Sequence, residues 1–496
     1  MRALGAGLIV AAVTLAGCLG GDNVEQQSIS TETAISLPAG LSIHVGEKAV
    51  VRDVATVLGS APKMVERLLG NRGGEPTLGV TESGAIFVAS GDMVMRSRDG
   101  GATWEKVFEF GPVRLPVAAP VVGSDPVRNF DPMLWVDRET NMIWNAPMYP
   151  PLVCSYGTMS TDDGETWFEH PAQCGFEPPM DHQKIAIGPP AAGGLQPTGS
   201  YSKILYYCWN QLIATKCSVS TDGGLTFLRT VTIADSTQCG GINGSPAPAP
   251  DGTVYVPLGR NCGKPAVAVS RDNGQTWKVN ILDDGGLGNE EIDPDITVTP
   301  DGTAYYVYRA KADHRIYLLR STDGFETVQG PFLVSPPDVT STNFVAIASG
   351  DDGRIAVAYL GTRDTDANAG RAEPETKWYL FATFSFDAAE AQPTFVTTQI
   401  SAPENPVQIG YIWQGGGGDP GRNMLDFIDA VVGPDGRFVV AFTDGCTADC
   451  DGNPEATQGN SRARDTAIAI LESGPSLYAA RGLLDALGIG TSPAGR

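Results

Sequence analysis

A single octapeptide recurs five times in this chain, as SRDGGATW (97–104), STDDGETW (160–167), STDGGLTF (220–227), SRDNGQTW (270–277) and STDGFETV (321–328). The copies, S-x-D-x-G-x-T-W in outline, start 63, 60, 50 and 51 residues apart. Matches at so even a spacing mean that one supersecondary unit is repeated along the chain, and that repetition constrains the fold more than any other feature.

Within each copy the Asp is placed to accept backbone N–H groups across a turn. The Gly supplies a backbone angle closed to most residues, and the aromatic residue packs beneath. Short alternating apolar runs precede the copies, such as AVAVS before Asp272 and IYLLRS before Asp323, and another run follows most of them. The octapeptide therefore joins two β-strands. Upstream, the hairpins APDGTVYVPLG, TPDGTAYYVYR, SGDDGRIAVAYLG and GPDGRFVVAFTDG mark a turn between two earlier strands of the same unit.

The octapeptides resemble the Asp-box, or BNR, repeats of sialidase-like β-propellers, in which the box links the third and fourth strands of a blade. The resemblance covers most of residues 77–400 and implies an all-β propeller of four-stranded blades. A degraded sixth copy stands at 385–395 (SFDAAEAQPTF), and a unit beginning near Asp426 keeps its hairpin without a box. Seven blades are expected, with a six-bladed sialidase-type propeller as the alternative. The last unit offers three strands, and residues 42–53 (SIHVGEKAVVRD) are expected to supply the fourth, closing the ring and removing its open edges. The propeller is thereby bounded at 42–475, followed by an amphipathic helix and tail in 476–496.

Residues 1–17 form a short apolar stretch behind Arg2, the pattern of a signal peptide. Leu15-Ala16-Gly17-Cys18 resembles the bacterial lipobox, which implies cleavage before Cys18 and lipid attachment to its sulfur. Residues 18–41 read as a flexible tether, so the expected location is the cell envelope, with the membrane reached only through the lipid. The other eight cysteines fall in close pairs, Cys154 with Cys174, Cys208 with Cys217, Cys239 with Cys262 and Cys446 with Cys450, as local disulfides of an exported chain do. With 57 acidic against 34 basic residues, a formal charge of −23 argues against a nucleic-acid partner.

In a propeller the first strand of each blade starts, and the second ends, on one rim around the central channel. First-strand starts contribute Asp131, Asp181 with His182, Asn243, Asp293 with Asp295, Asn343 and Asp426. Second-strand ends and interblade loops contribute Arg128, Arg260, Arg309, Arg363 and Arg422. On one reading these residues cap strands, link blades and neutralise each other. On the other they form a ligand ring whose guanidinium forks match a carboxylate, phosphate or sulfate. The box aspartates lie on the opposite side and are scaffold.

The sialidase resemblance further implies three arginines on a substrate carboxylate, a Tyr nucleophile paired with a Glu, and an Asp acid. Tyr206, Tyr305, Tyr308 and Tyr411, expected as rim aromatics, with Glu290, Glu291, and Asp131 or Asp181, are of the right types, but no catalytic pair can be carried to particular positions. The family's F/Y-R-I-P signature is displaced: VRLP (113–116), with Arg114, follows the first box instead of preceding it. Asp364, Asp366 and Asn368 imitate a calcium loop, with Ala369 where such a loop needs Gly, and calcium is the one cofactor suggested. The expected function is a lipid-anchored propeller that recognises an extracellular glycan or other anionic ligand at its central rim. A sialidase-like glycoside hydrolase is the alternative.

Overall fold

The computed structural model describes residues 41–45, 61–110, 131–149, 154–174, 181–228, 230–364, 372–415, 421–447 and 464–479. Seven antiparallel sheets form a seven-bladed β-propeller. The innermost strands are Thr77–Val80, Leu134–Asp137, Asp181–Gly188, Ala247–Pro248, Asp295–Val298, Ser341–Ser349 and Asp429–Val432. Each touches the next around the axis, and the last returns to the first.

Alternation along each strand sends successive side chains to opposite neighbouring blades. Tyr305 and Val307 of the fifth blade pack towards the sixth, whereas Tyr306 and Tyr308 pack towards the fourth. The apolar core is therefore a set of slabs between blades. This overturns the placement of Tyr206, Tyr305 and Tyr308 at the rim, since all three are fully buried within these slabs.

The boxes do what their residue types dictate. In the first, the Asp99 carboxylate accepts from Thr103 N at 2.8 Å and Thr103 Oγ1 at 2.6 Å. Ser97 Oγ accepts from Gly101 N at 2.8 Å, and Trp104 Nε1 donates to Gly101 O at 3.1 Å. The degraded sixth copy retains its triangle across a longer loop: Ser385 Oγ donates to Asp387 at 3.1 Å, and Asp387 accepts from Thr394 N at 2.8 Å.

In the fifth box Phe325 occupies the Gly position at φ 62°, and its ring, 1 % exposed, packs edge-on against Tyr255. A left-handed angle costs an L-residue roughly 1–2 kcal/mol, while losing a buried Phe side chain costs roughly 3–5 kcal/mol. Burial wins. Phe325→Gly is accordingly expected to destabilise the propeller by about 2 kcal/mol, read as a lower denaturation midpoint; a stabilised variant would show that strain dominates.

Ring closure differs from expectation. The fourth strand of the seventh blade is Lys63–Leu68, paired antiparallel with Asp465–Ser473, and it joins an N-terminal to a C-terminal segment in one sheet. Leu41–Val45 is instead a fifth strand on the sixth blade, beside Thr394–Gln399. Both segments alternate apolar and polar residues, so pattern alone does not choose between two available sheet edges. Past residue 475, Leu477 is buried in the slab between the last two blades, so the chain stays integral to the propeller there. The remainder of the expected helix lies outside the described residues.

Disulfides join Cys208 to Cys217 and Cys239 to Cys262. The first staples the middle of a strand pair, where these residues face each other in register. Cys154 stands opposite Cys174 in register, and Cys446 is disulfide-bonded. Cys450 and Cys18 lie outside the described residues. Disulfides of this kind belong to proteins of oxidising, extracellular compartments.

Candidate functional site at the rim

At the rim, the strands of neighbouring blades are chained by carboxylates. His182 N donates to Asp131 Oδ2 at 3.2 Å, and Asp131 N donates to Glu75 Oε2 at 3.4 Å. Glu75, Asp131 and His182 all adopt positive φ, 53°, 46° and 47°, where the first three blades begin. Buried non-glycine residues held at such angles cluster at ligand sites and clamps.

Around this chain sits a cluster of opposed charges. His182 Nδ1 lies 3.0 Å from Asp293 Oδ2, and its Nε2 lies 3.9 Å from Asp426 Oδ2. Lys184 Nζ is 3.7 Å from Asp293 and 3.6 Å from the centre of the Phe427 ring. Arg422 grips Asp426 with both arms of its fork at 2.5 Å. Asp181 accepts from Asn210 Nδ2 at 3.3 Å. The structure thus gathers Asp131, Asp181, His182, Asp293, Asp426 and Arg422 into one place.

Burial opposes a charged His182 ring, but Asp293, with Asp181 and Asp131, outweighs it and pushes the imidazole up to about 10. His182 is therefore a fixed cation at neutral pH, with no lone pair to act as a general base or metal ligand. Burial also works against ionised Asp293, yet His182 and Lys184 hold it below the usual carboxylate range. Glu75 goes the other way: burial, then its hydrogen-bonded neighbour Asp131, push its carboxyl well up. Burial likewise raises Asp181.

A second cluster adjoins the first. Arg309 donates to Thr342 O at 3.0 Å, Asn343 Oδ1 at 3.2 Å and Gln414 Oε1 at 3.3 Å. Its Nε lies 3.2 Å from Glu290 Oε1, an ion pair without hydrogen-bond alignment. Glu290 also meets His314 Nδ1 at 2.5 Å. Burial pushes Glu291 up to about 7, with Arg309 opposing and Asp293 assisting. Glu291 Oε2, Asn343 Nδ2, Gln414 Nε2 and Asn243 Oδ1 are buried polar atoms without a hydrogen-bond partner among the described residues.

The remaining sequence candidates go elsewhere. Asp295 sits one step deeper in the channel, where it accepts from Ile347 N of the next blade at 2.9 Å. Asp429 does the same for Leu78 N at 2.9 Å, so both are links between blades. Arg363 turns outward to Asp338 and Gln399, at 2.7 and 2.5 Å. Arg260 is exposed in a single 3₁₀ turn. Tyr411 lies on the loop between the sixth and seventh blades, where its carbonyl accepts from Gln408 Nε2 at 3.4 Å. Asp364 Oδ2 accepts from Lys377 N at 3.3 Å, and Asp366 and Asn368 lie outside the described residues, as do Arg114 and Arg128. Among the described residues no group of three His, Cys, Asp or Glu is arranged to hold a metal ion.

Glu75, Lys184, Phe427 and Gln414 were not singled out from sequence. A signal for the first existed: Glu75-Pro76 repeats the acidic-Pro pair of Asp131-Pro132 and Asp293-Pro294.

Against known proteins, a BNR repeat-like domain is matched over residues 204–379, which contain three of the boxes. The propeller is of BNR type. No curated protein sequence matches the chain. Similar solved structures include a protein of unknown function from Dyadobacter fermentans DSM 18053, at 14 % identity and TM-score 0.41, covering 87 % of this chain and 99 % of the other. The intramolecular trans-sialidase from Ruminococcus gnavus is 14 % identical at TM-score 0.38, over 80 % and 95 % of the two chains. An α-L-arabinofuranosidase from Fusarium graminearum is 11 % identical at TM-score 0.38, over 68 % and 97 %. These likenesses carry no ligand or reaction over to this BNR propeller.

Proposed function

We propose that this BNR propeller is an exported recognition module, anchored through a lipid on Cys18, whose rim binds a hydroxyl-rich glycan without turning it over. The observation that carries the reading is the internal pairing of the two buried rim arginines, Arg422 and Arg309. Arg422 is held bidentately by Asp426, and Arg309 is occupied by Glu290, Asn343 and Gln414. A ligand carboxylate would have to displace an internal partner from either fork. Around Arg309, its own Nε, two amide N–H groups and one carboxylate oxygen lack a hydrogen-bond partner among the described residues, a set that complements sugar hydroxyls, each both donor and acceptor.

On a glycan array the purified protein is expected to retain neutral glycans, with retention falling about tenfold in Gln414→Ala, as for loss of one or two buried hydrogen bonds. Aryl sialosides should release no fluorophore. Glu291 supports a second reading, since a buried carboxyl pushed up to about 7 is suited to general-acid work on a glycosidic bond. Turnover of any aryl glycoside that disappears in Glu291→Gln would replace binding with hydrolysis. For the anchor, Cys18→Ser is expected to move the protein from the membrane fraction to the soluble one; membrane retention unchanged by that substitution rules out the lipid.

A further inference from the structure

Below the charged rim the seven inner strands enclose a cavity of about 580 Å³, a volume typical of small-molecule sites. Leu78, Val136, Ile187, Pro248, Val298 and Val431 line it from six different blades, interleaved with the polar Thr77, Ser245, Thr297 and Ser349. Towards the rim the bore narrows. Lys184 covers the Phe427 ring, and the gap these two leave with Asp293, Asp295 and Asp429 is about 20 Å³, room for roughly one water. A ligand therefore reaches the cavity from the face that carries the Asp-box turns.

At that end the lining includes Arg138, in the turn after the first strand of the second blade, and Tyr478. Arg138 has no carboxylate partner within 4.0 Å among the described residues; its NH2 donates only to Tyr478 Oη, at 3.0 Å. In a chain with 57 acidic and 34 basic residues, a guanidinium left with a neutral phenol marks an anion subsite. The opposite end carries the Asp295 and Asp429 carboxyls, already accepting from Ile347 N and Leu78 N, and offers an anion nothing.

We propose that this channel binds a single-chain amphiphilic carboxylate, its alkyl tail in the bore and its head group on Arg138. The site is separate from the rim, so the proposal stands or falls independently of glycan recognition. The test is calorimetric titration of the full protein with hexanoate, octanoate and decanoate below micelle formation, with decanol and decyltrimethylammonium as comparisons. Affinity is expected to rise roughly fourfold per added methylene until the bore is full. Arg138→Gln should weaken decanoate about tenfold and leave decanol unchanged. Val298→Phe, at a partly exposed lining position, narrows the bore and should abolish binding of both.

Trp135 also lines the cavity and gives a readout that survives if the filled variant does not fold. Quenching of tryptophan emission by 10-bromodecanoate should be largely lost in Trp135→Phe. Decyltrimethylammonium binding as tightly as decanoate, decanoate binding retained by folded Val298→Phe, or quenching unchanged in Trp135→Phe would each overturn the proposal.

Discussion

Replacing His182 with glutamine is expected to destabilise the propeller by about 3–5 kcal/mol, the usual consequence of removing one partner from a buried charge cluster. The ring is 4 % exposed and stands between Asp293 and Asp426, with Asp131 bonded to its backbone. Without it, Asp293 keeps only Lys184 at 3.7 Å. Asp293→Asn in the same chain should recover a large part of the loss, because the orphaned charge goes with it. Denaturant unfolding of the two single variants and the double variant measures the coupling. Additive losses would show that His182 acts through shape and not charge. Because the imidazole is raised to about 10, its contribution is fully present below its unfolded value near 6.5 and disappears as pH rises through about 10.

The second large effect is a stability maximum at mildly acidic pH. Burial pushes Glu66, Glu291 and Asp295 up to about 7, and Asp429 and Asp444 up to about 6. A carboxyl raised on folding makes the native state bind more protons than the unfolded one, so its stabilisation holds at low pH and is lost as pH rises from about 4 to about 7. The box aspartates have the opposite sign. Hydrogen bonds from their threonines lower Asp99 and Asp162 to about 2, so their contribution is present above the unfolded value and lost as pH falls through about 2. The two sets leave a maximum near pH 4–5.

Ionising a carboxyl that folding has raised by one pH unit costs about 1.4 kcal/mol, so the buried carboxyls together should make the protein several kcal/mol less stable at pH 8 than at pH 5. Glu66 isolates the effect. It lies on the ring-closing strand and shares a hydrogen bond with Asp444, whose carboxylate adds to burial in raising Glu66, while the same bond eases ionisation of Asp444. Glu66→Gln is expected to raise the melting temperature at pH 8 and leave it nearly unchanged at pH 5. Equal effects at both pH values would remove this pair as a source of the pH dependence.

The blade count and the box turns were legible in the chain because their chemistry is local. Ser97, Asp99, Gly101 and Thr103 find their partners within four residues of one another, and Asp251 and Asp301 cap their own hairpins. First-strand starts were legible for a related reason: Asp131, Asp181, Asp293 and Asp426 occupy corresponding places in four of the seven repeats, so placing the repeats places the ring. The partner choices were not. Arg422 is spent on Asp426, Arg309 on three side chains, and Arg363 on the outside of its blade, although all three look alike as arginines at second-strand ends or interblade loops. The tyrosines of AYYVYR were misplaced because strand alternation at the fifth blade directs them sideways into neighbouring blades and not towards the axis.

By itself the sequence determined a closed wheel of β-blades with a polar ring at one end, since repeat spacing, turn residues and strand periodicity act over a few residues at a time. Only the tertiary structure decided which edge received Lys63–Leu68, which charges neutralise one another, and that a bore bearing an arginine with no carboxylate partner among the described residues lies beneath them. Those outcomes depend on distances between residues 50 to 400 positions apart, where burial sets both the strength of each ion pair and the cost of leaving a group alone.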